Sequence, residues 1–164
     1  MKKILLLSDT HGHLDEVMLK YIKEVDEVWH AGDIGMVSVS DEIKKNKPLR
    51  AVYGNIDGGE LRKEFQESLF FTLEGVKVLM IHIGGYPGHY RQKSQELIKR
   101  YAPDLFIAGH SHILKVMYDK TNNLLFMNPG AVGKIGFHKK RTMLRFTLQK
   151  ANIIDLEVIE LENR

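Results

Sequence analysis

The chain has 164 residues, 43% of them hydrophobic and 27% charged, with a formal net charge of +3. That length suits one domain with a proper core, and the composition places disordered and membrane classes behind a globular one. There is no cysteine, so disulfides, thiolate metal sites and cysteine nucleophiles are excluded, and any metal must rest on His, Asp, Glu or Asn. No apolar run approaches the ~20 residues of a bilayer span. The apolar stretch after Met1-Lys2-Lys3 is too short for a secretory signal, so a cytoplasmic location is expected.

Ile4 to Leu7 are four aliphatic residues in a row, which reads as a strand buried on both faces. It closes on Ser8-Asp9-Thr10-His11, where Asp9 and His11, two apart, can reach one ion. Leu14, Val17, Met18, Tyr21 and Ile22 then recur at helical spacing, with Asp15 and Glu16 at the start and Lys20 and Lys23 near the end, as the helix dipole favours. Val28 to Ala31 is a second strand that runs into Gly32-Asp33, and His30 within it reads as a buried, hydrogen-bonded side chain. A short helical piece from about Asp41 to Lys45 stops before Pro48. Leu49 to Tyr53, the third strand, leads to Gly54-Asn55-Ile56-Asp57, and the paired Gly58-Gly59 is expected to leave a mobile loop.

Leu69 to Leu73 and Val76 to Ile81 flank Glu74-Gly75 as a hairpin, closed by His82. The glycine-rich stretch Gly84 to Tyr90 offers Tyr86, His89 and Tyr90 as substrate contacts, but lacks the Gly-Lys-Ser/Thr of a P-loop. A helix from about Gln92 to Tyr101 is stopped by Pro103, and Leu105 to Ala108 runs into Gly109-His110-Ser111-His112. Val116 to Tyr118 and Leu124 to Met127 form a second hairpin, followed by Asn128-Pro129-Gly130, a turn placed to support the His112 loop. Met143 to Leu148 and Ile153 to Leu161 alternate as a third hairpin at a sheet edge. Lys44-Lys45-Asn46-Lys47 and His138-Lys139-Lys140-Arg141 are the densest basic clusters. Both read as solvated loops, too short for a nucleic-acid groove.

One grammar occurs five times: a short apolar run closed by a metal-competent residue. Loops at the carboxyl ends of strands in an open α/β sheet converge on one crevice. Asp9, His11, Asp33, Asn55, His82, His110 and His112 should therefore face one point. Seven ligands are too many for one transition metal and fit two, with Asp33 as the bridge. Two dications against two carboxylates leave about two net positive charges, suited to a phosphate ester, and water held there can ionise near neutral pH. Mixed imidazole and oxygen ligands favour Mn, Fe, Co, Ni or Zn over Mg or Ca.

The ordered string Asp9-x-His11, Gly32-Asp33, Gly54-Asn55-x-Asp57, His82, Gly109-His110-x-His112 resembles the calcineurin-like metallophosphoesterase superfamily. In size the chain is most similar to the small single-domain bacterial and archaeal phosphodiesterases of that group. The resemblance spans roughly Ile4 to Gly130. It implies a single domain over residues 1–164 and an α/β fold, a four-layer αββα sandwich of two mixed β-sheets flanked by helices. It also implies Asp9, His11, Asp33 and His112 around one divalent ion, and Asp33, Asn55, His82 and His110 around the other, with manganese the first choice. The implied activity is hydrolysis of phosphate diesters by metal-bound hydroxide, on a small phosphate ester or a nucleotide.

Two departures stand out. Ile56 occupies the position where better-known phosphatases of the group carry a leaving-group histidine, and His82-Ile83-Gly84 replaces a frequent His-Gly-His. Leaving-group protonation is then expected to fall to water or to His13, and esters with good leaving groups should be preferred. Asn55 and Asp57 complete the residues given a part in catalysis. Neither a nucleic acid nor a membrane is an expected partner, and homo-oligomers stay open. The alternative reading is a non-catalytic binding platform, as in the retromer sorting subunit. Such platforms tend to have lost ligands, and here all seven are present.

Overall fold

The structure is a computed structural model that describes residues 1–163. Strands β1 (Lys2–Leu7), β2 (Glu27–His30) and β3 (Leu49–Ala51) run parallel, connected through helices α1 (Glu16–Lys23) and α2 (Val37–Asn46). The C-terminal hairpin of β9 (Lys140–Gln149) and β10 (Asn152–Asn163) adds antiparallel to β1, giving the order β10-β9-β1-β2-β3. The second five-stranded sheet has the order β4-β5-β6-β8-β7. Its members are β4 (Ser68–Leu73), β5 (Val76–Ile81), β6 (Leu105–Ile107), β7 (Leu114–Asp119) and β8 (Leu124–Pro129). The central β5, β6 and β8 are parallel and the two outer strands antiparallel, so both sheets are mixed.

Because β1 has no polar alternation, it buries both of its faces. Ile4 and Leu6 enter the layer between the sheets with Trp29, Met80, Ile107 and Phe146, while Leu5 and Leu7 meet Met18, Ile22 and Ile43 of the helices outside. On the far side, Leu97 and Ile98 of α4 (Gln92–Tyr101) cover Leu79, Phe106 and Phe126. Each such side chain contributes roughly 1.5–3 kcal/mol on burial. The result is helix, sheet, sheet, helix: four layers held by three apolar seams, as expected of two mixed sheets flanked by helices. No helix among the described residues is long and apolar enough to cross a membrane.

Several local readings need correction. Helix α2 begins at Val37 rather than near Asp41, because Val39 and Ile43, four apart, both pack on the sheet. Gly58-Gly59 does not leave a loop. It opens helix α3 (Gly59–Glu64), which is anchored by buried Leu61 and by Arg62, whose guanidinium lies over the Tyr53 ring and donates to the Asp57 carbonyl. Arg141 is buried rather than solvated, donating to the Val132 carbonyl, Asp15 and Glu162.

The backbone pairing continues past the strand ends, which is what assembles the site. Asp9 N–H donates to the Gly32 carbonyl at 2.9 Å, His11 N–H to the Asp33 carbonyl at 3.0 Å, and Gly109 N–H to the His82 carbonyl at 3.0 Å. The loops after β1, β2, β5 and β6 are thereby sewn into one surface.

Candidate functional site

Asp9, His11, Asp33, His110 and His112 all have positive φ, between 47° and 69°. Left-handed backbone is costly for residues other than glycine and persists where surrounding structure imposes it. Here the extended pairing imposes it, turning these side chains out of the strand direction into one crevice. Close approach also demands glycine. A Cβ on Gly54 would lie 2.1 Å from Asp33 Oδ1, and one on Gly32 would lie 2.6 Å from His82 Nδ1.

Two triads result, Asp9 with His11 and His112, and Asp33 with His82 and His110. Each carboxylate divides its oxygens between two tasks. Asp9 Oδ2 accepts from Ser8 Oγ at 2.6 Å and from His110 N–H at 3.1 Å, leaving Oδ1 to face the imidazoles. Oδ1 lies 3.1 Å from His112 Nε2, 3.7 Å from His11 Nε2 and 3.8 Å from His82 Nε2. Asp33 Oδ1 accepts from Ile56 N–H at 3.0 Å, whereas Oδ2 lies 3.4 Å from His11 Nε2 and 3.2 Å from His82 Nε2. One oxygen of Asp33 thus serves both groups of ligands. Asn55 Oδ1 stands 3.0 Å from His110 Nδ1, so the seven residues read from the sequence meet in one place.

The chemistry of these contacts points to a cation. His82 Nδ1 lies 2.7 Å from the Ala31 carbonyl, which can only accept, so Nδ1 carries the hydrogen and neutral His82 presents a lone pair at Nε2. That lone pair faces carboxylate oxygens. Among the described residues, the buried Nε2 atoms of His11 and His82 have no hydrogen-bond partner, a costly arrangement unless a positive charge sits between. Ligand bonds of ~2.0–2.2 Å set neighbouring ligand atoms roughly 3–3.6 Å apart, close to the separations observed. Asp9 contacts lift His11, and in His82 the attraction of Asp33 and Asp9 outweighs burial, so both titrate above the ordinary histidine range. Burial opposes charge on Asp9, but His11, His112, His82 and Ser8 together hold its carboxyl well below the usual range. The residues present therefore fit divalent ions.

Residues behind the ligands fix their placement. Gly32 N–H donates to His30 Nδ1 at 3.1 Å, so His30 donates from Nε2 to Thr10 Oγ1 at 2.9 Å, and Thr10 donates to the Ile34 carbonyl. Complete burial lowers His30 to about 4, keeping it neutral. Asn128 donates to the Gly109 carbonyl and Ser111 Oγ, bracing the loop that carries both terminal histidines.

A family model described as the calcineurin-like phosphoesterase superfamily domain matches residues 1–151. The chain belongs to the calcineurin-like phosphoesterase superfamily. It is 31% identical over 137 residues, 80% of either chain, to a probable metallophosphoesterase of Mycoplasma pneumoniae. Among solved structures it is similar to a Vps29 from Entamoeba histolytica complexed with zinc (TM-score 0.69, 15% identity, 96% of this chain and 98% of that one). It is likewise similar to a protein described as a novel archaeal phosphodiesterase (TM-score 0.69, 23% identity, 97% and 99%).

Within this phosphoesterase fold, some sequence-derived site residues face elsewhere. Asp57 is buried, and its carboxylate accepts from the N–H groups of Ile34, Gly35 and Gly54 at 2.8–3.1 Å, tying the Asp33 loop to the Asn55 loop. Its carboxylate is a brace between the two loops, taken up by these backbone N–H groups. His13 Nε2 pairs with Asp15 at 2.8 Å at the head of α1. Tyr90 donates to Asp119 at 2.7 Å and packs on Phe106, so it belongs to the scaffold, whereas Tyr86 and His89 line a cavity beside His110. Sequence reasoning missed His138, whose ring stands edge-on to His112 with centroids 5.2 Å apart. Its place in a basic cluster concealed it.

Proposed function

We propose that this chain is a metal-dependent phosphoesterase, with phosphate diesters as its preferred substrates. The observation that carries the reading is the pair of triads sharing Asp33 Oδ2, with unpartnered imidazole nitrogens turned toward carboxylates. Asp9, His11, Asp33 and His112 would hold one divalent ion, and Asp33, Asn55, His82 and His110 the other. Manganese is the first candidate, with Fe, Co, Ni and Zn sharing the same ligand preference. Such ions supply activated water at neutral pH and neutralise charge on the phosphoryl oxygens.

The chain's own residues supply placement. The Ala31 carbonyl fixes the tautomer and direction of His82. Asp57 and Asn128 hold the loops that carry the ligands. Ile56, whose backbone N–H donates to Asp33, has a half-exposed side chain that can move no proton, and His13 is engaged with Asp15. With neither acting on a leaving group, esters of acidic alcohols and phenols should react fastest.

The test is hydrolysis of bis-p-nitrophenyl phosphate by metal-stripped protein, with and without added Mn²⁺. Turnover that appears on Mn²⁺ addition and disappears with chelator is expected. Stoichiometric metal binding with no turnover on any ester would contradict the reading and favour a binding platform.

A further inference from the structure

Two cavities flank the proposed centre. The larger, about 530 Å³, is lined by His110 and by Ile83, Tyr86, His89, Arg91 and Lys115. The smaller, about 250 Å³, is lined by Asn55 and His82 and includes Tyr53 and Arg62. Ile83 lines both and forms the wall between them. The two sides differ in chemistry. In the larger, the Tyr86 ring lies beside the His89 ring with centroids 4.8 Å apart, Lys115 Nζ is 5.0 Å from the Tyr86 centroid, and among the described residues no carboxylate lines the walls. Flat π faces and two cations without a neutralising anion suit an aromatic heterocycle that carries further negative charge. In the smaller, Arg62 lies over the Tyr53 ring, and the lining includes a carboxylate, Glu67, which pairs with Lys93 at 2.7 Å.

Resting on the phosphodiesterase reading above, we propose that the natural substrate is a linear nucleotide diester, held astride Ile83. The larger cavity takes a base-bearing arm with an additional phosphate, and the smaller takes the second ester arm. A cyclic mononucleotide returns both ester oxygens to one sugar and has no second arm to place beyond Ile83. Tyr86 provides the stacking face, and Lys115 and Arg91 read the extra phosphate.

The experiment compares Mn²⁺-loaded wild type, Tyr86→Ala and Lys115→Ala on four substrates: a linear adenine dinucleotide with and without a terminal phosphate, cyclic AMP, and bis-p-nitrophenyl phosphate. Calorimetric binding of the phosphorylated dinucleotide to the metal-free proteins is the second readout. Tyr86→Ala should raise KM for both dinucleotides about tenfold, the scale of one lost stacking contact, and weaken calorimetric binding in step. Its Mn²⁺ affinity, read in the same calorimeter, should change less than about twofold. Lys115→Ala should abolish the preference for the phosphorylated dinucleotide. Cyclic AMP consumed as well as the dinucleotides, or an unchanged KM for both dinucleotides in Tyr86→Ala, overturns the assignment of the cavities and leaves the phosphodiesterase reading standing. No hydrolysis of any ester, bis-p-nitrophenyl phosphate included, overturns that reading and the substrate assignment with it.

Discussion

The two triads of the site share one crevice and differ in how they are held. Asp9 is fully buried, bound by Ser8 and the His110 backbone, and its free oxygen faces three imidazoles. Asp33 has one backbone donor to its other oxygen, and its partner His110 is exposed at the mouth of the larger cavity. The difference separates an enclosed, structural half from an open half that meets substrate. Rigidity comes to the open half indirectly, through Asp57 and the Ala31 carbonyl rather than through contacts to Asp33 itself.

The strongest way to break this comparison is Asp33→Asn, because the lost charge belongs to the oxygen shared by both halves. We expect kcat/KM on bis-p-nitrophenyl phosphate to fall by more than about 100-fold, beyond the range typical of residues behind the ligands. Asp57→Asn should sharpen the comparison by acting chiefly on the open half. Its new amide would point N–H groups at backbone donors, costing about 1–3 kcal/mol in denaturant unfolding. Affinity for the more weakly held ion should drop roughly 10–100-fold while the tighter one is little changed. Calorimetric metal titration separates the two.

A pH experiment probes the link between the halves. His30 joins the two loops and has a folded pKa of about 4 against 6.5 ordinarily. Between those values the unfolded chain takes up a proton that the folded chain refuses. This contribution is full above 6.5 and shrinks as pH falls toward 4, by on the order of 1 kcal/mol per pH unit. His11 and His82, raised in the fold, act in the opposite sense and in the window above 6.5. Chelator-treated His30→Gln should therefore show a flatter loss of stability between pH 6.5 and 4 than wild type, whatever its absolute stability. The smallest effect belongs to His13→Ala. With its ring on Asp15, the rate ratio between activated and unactivated diesters should stay within about twofold of wild type.

Much of this was legible in the sequence because the signals were local. Aliphatic runs closing on Asp, Asn or His marked the strand ends, and turn residues marked all three hairpins, while Pro103 bounded α4. What escaped depended on partners distant in the chain. Gly58-Gly59 reads as a loop until Leu61 finds the outer seam and Arg62 finds Tyr53. Arg141 reads as solvated until Asp15 is placed beside it, 126 positions away. Asp57 shares a tetrapeptide with Asn55, yet the backbone N–H groups that claim it come partly from another loop, so spacing alone assigned it to the chemistry. Membership of one motif does not give two residues the same task.

The central claim concerns ions, and counting them tests it most directly. Native mass spectrometry of metal-stripped protein titrated with Mn²⁺ should show two ions per chain, with the second leaving first on chelation. A single ion at saturation, or none, would contradict a shared Asp33 and the account built on it.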